Sequence, residues 1–106
     1  MNENLKAMIA EHTEWPRHLT EREKTRFLAF ALAGEAGELT GPLKKEWRGD
    51  PWKPEWDEML CKELADVGNY AFMLAHHLGI DLLAEMEKKF AEVERRPEWI
   101  NREKGE

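Results

Sequence analysis

Apolar residues in this chain recur every three to four positions, the spacing of one helix face, and nowhere alternate cleanly with period two. The first such run predicts a helix over roughly residues 3–13, with Leu5, Met8 and Ile9 on one side and Trp15-Pro16 ending it. Thr20 followed by Glu23 has the form of a capping box and opens a second helix. That helix should reach about Trp47, with Phe27, Leu28, Ala31, Leu32, Leu39 and Leu43 turned inward. Gly41-Pro42 falls inside it, so a kink or local break is expected there, because proline lacks the donor the ladder needs. Arg48-Gly49-Asp50-Pro51 makes the connection to a third helix. Pro54 suits its first turn, and Glu55, Asp57 and Glu58 suit its positive end. Its apolar positions are Met59, Leu60, Leu64, Val67, Ala71 and Leu74, and Gly79 stops it. Asp81 caps a fourth helix containing Leu82, Leu83, Met86, Phe90 and Val93, and Pro97 closes it. The expectation is an all-α domain spanning residues 1–106, with about four main helices.

Size and charge narrow what such a domain can do. At 106 residues a monomer buries only a small core, and oligomerisation is the natural way to bury the rest. With 42% hydrophobic and 36% charged residues, the chain is globular and not disordered. Its net charge is −6 and no basic stripe is visible, which argues against binding polymeric nucleic acid. No apolar run approaches the roughly 18–20 residues that cross a bilayer, and the first residues lack a signal-peptide core, so no membrane partner is expected. Cys61 is the only cysteine; it excludes an intramolecular disulfide and fits the reducing cytoplasm. It has no activating base nearby in sequence and reads as a small buried or half-buried thiol.

The acids carry the candidate chemistry. Glu35/Glu38 and Glu63/Asp66 are each three apart, hence on one helix face. Spacing alone decides nothing, since Glu11/Glu14, Glu55/Glu58 and Glu103/Glu106 share it. Context does. Glu35 follows Ala31 and Leu28 at helical offsets, and Glu63 lies between Leu60 and Val67, so both acids fall in apolar stripes where a solvated side chain should not be. The second and third helices, joined by a short connection, should run antiparallel. Counting about 1.5 Å per residue from that connection puts the two pairs at nearly the same height. By the same counting Glu55 and Glu58 fall opposite Lys44 and Lys45, an ordinary salt-bridge cluster. Four converging carboxylates repel one another unless a cation joins them, and oxygen-only ligands select Mg²⁺, with Mn²⁺ as its substitute, over Zn²⁺. The competing reading pairs some of these acids with Lys or Arg.

The stretch LAGEAGELTGPLKKEWRGD, then KELADVGNYAFMLAHHLGIDL and KKFAEVERRP, is similar to the MazG-type nucleotide pyrophosphohydrolases. It also resembles the related dCTP pyrophosphatases of the all-α NTP pyrophosphatase superfamily. The similarity spans roughly residues 25–97 and centres on E-x-x-E followed by E-x-x-D, matched by Glu35, Glu38, Glu63 and Asp66. It implies that these acids bind Mg²⁺ and that a nucleoside triphosphate is cut to its monophosphate and pyrophosphate. Glu38 would orient the attacking water, or serve as a plain ligand. Tyr70, Trp47 and Trp15 match aromatic positions of the dCTP pyrophosphatases, where a base can stack; core packing or helix-end anchoring is the plainer role for each. Lys88 matches a lysine that can meet the phosphates, with Lys89 as its rival, and Asn69 lies near the site by its spacing from Asp66. The similarity further implies a homodimer or homotetramer whose sites are lined by helices of more than one subunit. Departures are Gly34 where many relatives carry an acid, Glu92 near the place of an asparagine, and Pro42 between the first motif and Trp47.

Three rivals accompany this expectation. Phosphoribosyl-ATP pyrophosphohydrolase shares the superfamily and would carry the same acids. A non-catalytic helical interaction module would keep the acids for assembly or regulation and ignore Mg²⁺. Zinc binding would require the neighbours His76 and His77 as ligands, but adjacent helix residues point about 100° apart and no cysteine or third histidine accompanies them.

Overall fold

The computed structural model describes residues 1–15 and 17–104; Pro16 lies outside them. Helix α1 (Glu3–Glu14) starts where Asn2 Oδ1 accepts the Leu5 N–H at 2.7 Å. Helix α2 (Glu21–Leu39) opens on the expected capping box: Glu23 N–H donates to Thr20 Oγ1 at 3.2 Å, and Thr20 N–H donates to Glu23 Oε1 at 3.0 Å. The interruption expected at Gly41-Pro42 is a break. Thr40 separates α2 from a short α3 (Gly41–Trp47), with the buried Pro42 in its first turn, where a missing N–H does no harm. Thr40 Oγ1 donates to Gly37 O at 2.7 Å, closing the end of α2.

Helix α4 (Glu55–Leu78) ends on Gly79 in the left-handed region, φ 71°. Gly79 N–H donates to His76 O at 3.2 Å and Ile80 N–H to Ala75 O at 2.8 Å, so the last carbonyls are satisfied. Asp81 then caps α5 (Leu82–Glu94), its Oδ1 accepting the Ala84 N–H at 3.1 Å. Pro97, which closes α5, opens one further turn, α6 (Pro97–Ile100), and a 3-10 turn follows over Arg102–Lys104. No strand occurs among the described residues, and the fold is all-α.

Packing centres on α4. Helix α2 lies along it and α1 covers a second side. The α2–α4 pair is antiparallel: His77, near the end of α4, bonds the start of α2, while Glu35 near the end of α2 meets Glu63. Among the described residues, Ile9, Leu28, Trp56 and Ala75 are buried apolar side chains of the core, and Leu28 has no exposed surface at all. Thr13 and Lys24 are buried with them, and Thr13 Oγ1 donates back to Ile9 O at 2.6 Å.

The inward assignment of Phe27 and Leu43 is corrected by this arrangement, and apolar positions of the later helices are exposed with them. Phe27, Leu43, Met59, Leu64, Leu83, Met86 and Phe90 are exposed in the single chain, because one hairpin has one seam and the apolar stripes are wider than it. Cys61 is exposed, not buried. Lys45 stacks over Trp56 at 6.0 Å, and Glu58 pairs with Lys62 at 3.3 Å, instead of the lysines of α3 meeting Glu55 and Glu58. The radius of gyration, 17.5 Å, exceeds the about 13 Å usual for a chain of this length. No helix among the described residues is long and apolar enough to cross a membrane.

Candidate metal centre

The antiparallel register of α2 and α4 sets Glu35 beside Glu63 and Asp66. One carboxylate oxygen from each lies within 4.8 Å of the others. Glu35 and Glu63 are half-buried, and Glu63 Oε2 is shut off from solvent with no hydrogen-bond partner. An unpaired buried acceptor is costly, all the more when it bears charge. The Glu35 carboxyl is accordingly pushed up to about 7. The main cause is a hydrogen bond shared with Glu63, followed by burial and then by the charges of Glu38, Asp66 and Glu63. Either a proton or a cation relieves the repulsion. Three oxygen donors without nitrogen or sulfur are a set that could hold a hard divalent ion.

Glu38 does not join the three. It is exposed in the last turn of α2, and the register that places Glu35 level with Glu63 carries Glu38 down to the level of Leu60. Its charge still reaches Glu35.

The other candidate residues are spread more widely. Asn69 and Tyr70 follow Asp66 by three and four positions on α4, so they share its face, with Asn69 exposed and Tyr70 half-buried. Trp15, 73% exposed, lines a separate recess of about 350 Å³ with Glu11, His12 and Arg17, and none of the four acids lines it. Trp47 is 88% exposed at the end of α3. Lys88 lies on α5, which packs along neither α2 nor α4, and it donates to Glu85 Oε1 at 3.1 Å. Its rival Lys89 donates to Glu92 Oε1 at 3.3 Å. Glu92 also accepts from Arg96, and these cations hold its carboxyl below the usual range, the Lys89 hydrogen bond foremost. Within one chain, then, Glu35, Glu63 and Asp66 are assembled with Asn69 and Tyr70 on the face of Asp66, while Trp15 and Lys88 lie on other elements.

The two histidines have separate fates. His76 is exposed, while the His77 ring is nearly buried, its Nε2 2.9 Å from Glu21 O and 3.0 Å from Thr25 Oγ1. His77 fastens the start of α2 to the end of α4 and belongs to no metal-capable group among the described residues. The sequence reading missed this clasp. It also missed an aromatic corner in which Trp52 meets Trp56 edge-on at 5.1 Å and donates from Nε1 to Asp57 Oδ1 at 3.0 Å. The four-residue spacing of the two tryptophans was a usable signal for the second; nothing local marks a clasp between residues more than fifty apart.

Comparison of the chain with protein-family models, with curated proteins and with solved structures finds no match.

Proposed function

We propose that this protein is a cytoplasmic, homo-oligomeric nucleoside triphosphate pyrophosphohydrolase that works with Mg²⁺. The observation that carries the reading is the meeting of Glu35, Glu63 and Asp66 across the α2–α4 seam around a buried, unpartnered oxygen. The similarity of E-x-x-E and E-x-x-D to the MazG-type motif supports the same conclusion from the sequence side.

In this reading Glu35, Glu63 and Asp66 hold the cation, with Mn²⁺ as its substitute. When bound, the ion supplies positive charge to the triphosphate oxygens, the main requirement of phosphoryl transfer. Water attacks the α-phosphorus, the bond to the α–β bridging oxygen breaks, and pyrophosphate leaves. Glu38 stands one turn from Glu35 and outside the three-acid group, the place from which a carboxylate can orient that water and take its proton. Asn69 and Tyr70 flank Asp66 and serve substrate positioning. Trp15 and Trp47 offer open aromatic faces for a base, and Lys88 an ammonium for a phosphate. These three come from parts of the chain remote from the acids, so they serve the site of a neighbouring subunit. Removal of non-standard or deoxy nucleotides from the pool is a role consistent with this chemistry, and phosphoribosyl-ATP is the nearest other substrate.

The test is pyrophosphate release from a panel of ribo- and deoxyribonucleoside triphosphates, with phosphoribosyl-ATP added, in Mg²⁺ and in EDTA. Mg²⁺-dependent release of pyrophosphate with equimolar monophosphate, lost in Glu38→Gln, supports the enzyme and names its base. Silence across the panel, with no Mg²⁺ bound by a folded sample, hands the protein to the interaction-module reading, which the large exposed apolar surface favours.

A further inference from the structure

Helix α5 has an apolar stripe and nothing to lay it on. Leu83, Met86 and Phe90 stand at i, i+3 and i+7, and all three are exposed, Phe90 by 66%. Among the described residues, its main packing partner is the short α6. The corner that aims α5 is closed from both sides. Gly79 and Ile80 cap the end of α4 through His76 and Ala75, and Asp81 caps the start of α5. Those bonds set the direction of α5, which leaves Met86 and Phe90 beyond the lining of the chain's own α1–α4 groove.

Beside that corner runs a mostly apolar groove of about 660 Å³ between α1 and α4. Ala7, Ile9 and Ala10 line one wall, Phe72 and Ala75 the other, and Leu83 stands at its end. Groove and stripe therefore meet at Leu83. The surface area shows how much cover is missing. The chain exposes 8357 Å², where a compact monomer of its mass exposes about 6,200 Å². The difference, about 2,200 Å² per chain, is what each partner contributes to an obligate dimer interface and exceeds what a transient one uses.

We propose that two copies of this chain exchange their α5 helices, the Leu83–Met86–Phe90 stripe of each seated in the α1–α4 groove of the other. A two-fold axis passing beside Leu83 makes the contact self-complementary and closed. This rests on the homo-oligomer part of the function proposed above and is independent of the reaction. It names the surfaces that the oligomer uses.

Sedimentation velocity on the full chain, without nucleotide or metal, tests it. The expected species at micromolar concentration is a dimer or a multiple of it. Phe90→Lys or Met86→Lys on the stripe, and Ala7→Glu in the groove, each weaken the dimer roughly 30-fold or more, the loss typical of an interface hot spot. Glu92→Ala, on the far side of α5, leaves it intact. Far-ultraviolet circular dichroism accompanies each variant, and the two stripe positions back each other up should one variant unfold. A monomeric wild-type chain overturns the proposal. So does a dimer that both stripe variants leave untouched, or one broken by Phe30→Lys on α2 instead. Pyrophosphate release is scored separately: an active monomer removes the exchange and leaves the reaction standing, and an inactive α5-linked dimer does the reverse.

Discussion

Helices α4 and α5 are amphipathic neighbours joined at Gly79, and their apolar stripes are treated in opposite ways. Helix α4 is covered by α2 on one side and α1 on another, and its register with α2 drives three acids together. Helix α5 carries an equally regular stripe, and among the described residues its main contact is the turn that follows it. Amphipathicity states that a face needs cover; it does not say which chain supplies the cover. The contrast also separates two kinds of unsatisfied group. At the α2–α4 seam the group without a partner is a carboxylate oxygen, Glu63 Oε2. Along α5 it is apolar surface.

The sharpest way to break the comparison is to empty the one seam that the chain completes by itself. Leu28→Ala removes the only fully buried apolar side chain among the described residues and should cost about 2–5 kcal/mol, read by urea unfolding. A cost near zero would place the core elsewhere. Next comes the acid end of the same seam. Glu63→Gln should lower Mg²⁺-dependent pyrophosphate release by at least the ~10–100-fold typical of damage around a bound metal, while leaving the sedimentation profile unchanged. Unaltered release in that variant would detach the reaction from these carboxylates.

The corner between the helices gives a smaller, structural effect. Gly79→Ala forces a side chain into φ 71° at roughly 1–2 kcal/mol, with open space around the added methyl, so the cost is backbone strain alone. If α5 is held by a partner, this loss should appear in dimer dissociation as well as in thermal unfolding. The smallest effect is on pH. Glu35 keeps a proton up to about 7 when folded, against the ordinary 4.5 of an unfolded chain. Between those values the folded state binds the extra proton, so metal-free stability is fullest below the window and falls as pH rises through it. Mg²⁺ prefers the deprotonated group and should reverse that slope, raising Tm more above pH 7 than below the window. Thermal scans in EDTA and in Mg²⁺ check both signs, and parallel curves would mean that the three acids hold no cation.

Much of the hairpin was legible because its signals are local. The Thr20–Glu23 capping box, the Gly41-Pro42 break, the Gly79 stop and the Asp81 cap each depend on residues within one turn of one another. The acids were found from their place in apolar stripes together with the short α3–α4 connection, which forces α2 and α4 antiparallel. That reasoning carried Glu35, Glu63 and Asp66 to one point. It carried Glu38 there as well, whereas Glu38 is exposed in the last turn of α2 and lies outside the group that the other three acids form. Burial was read less well, since periodicity marks Leu28 and Phe90 alike as inward, and only packing distinguishes them.

By itself, then, the sequence determined what short-range physics governs: an all-α chain, the limits of its helices, its capping, and two acidic pairs set where solvated charge does not belong. Only the tertiary structure decided which faces are covered within one chain, that His77 clasps α2 to α4, that three of the four acids meet, and that α5 stands apart. These depend on the register and direction of helices far apart in sequence, fixed by the sum of many weak contacts rather than by any one residue.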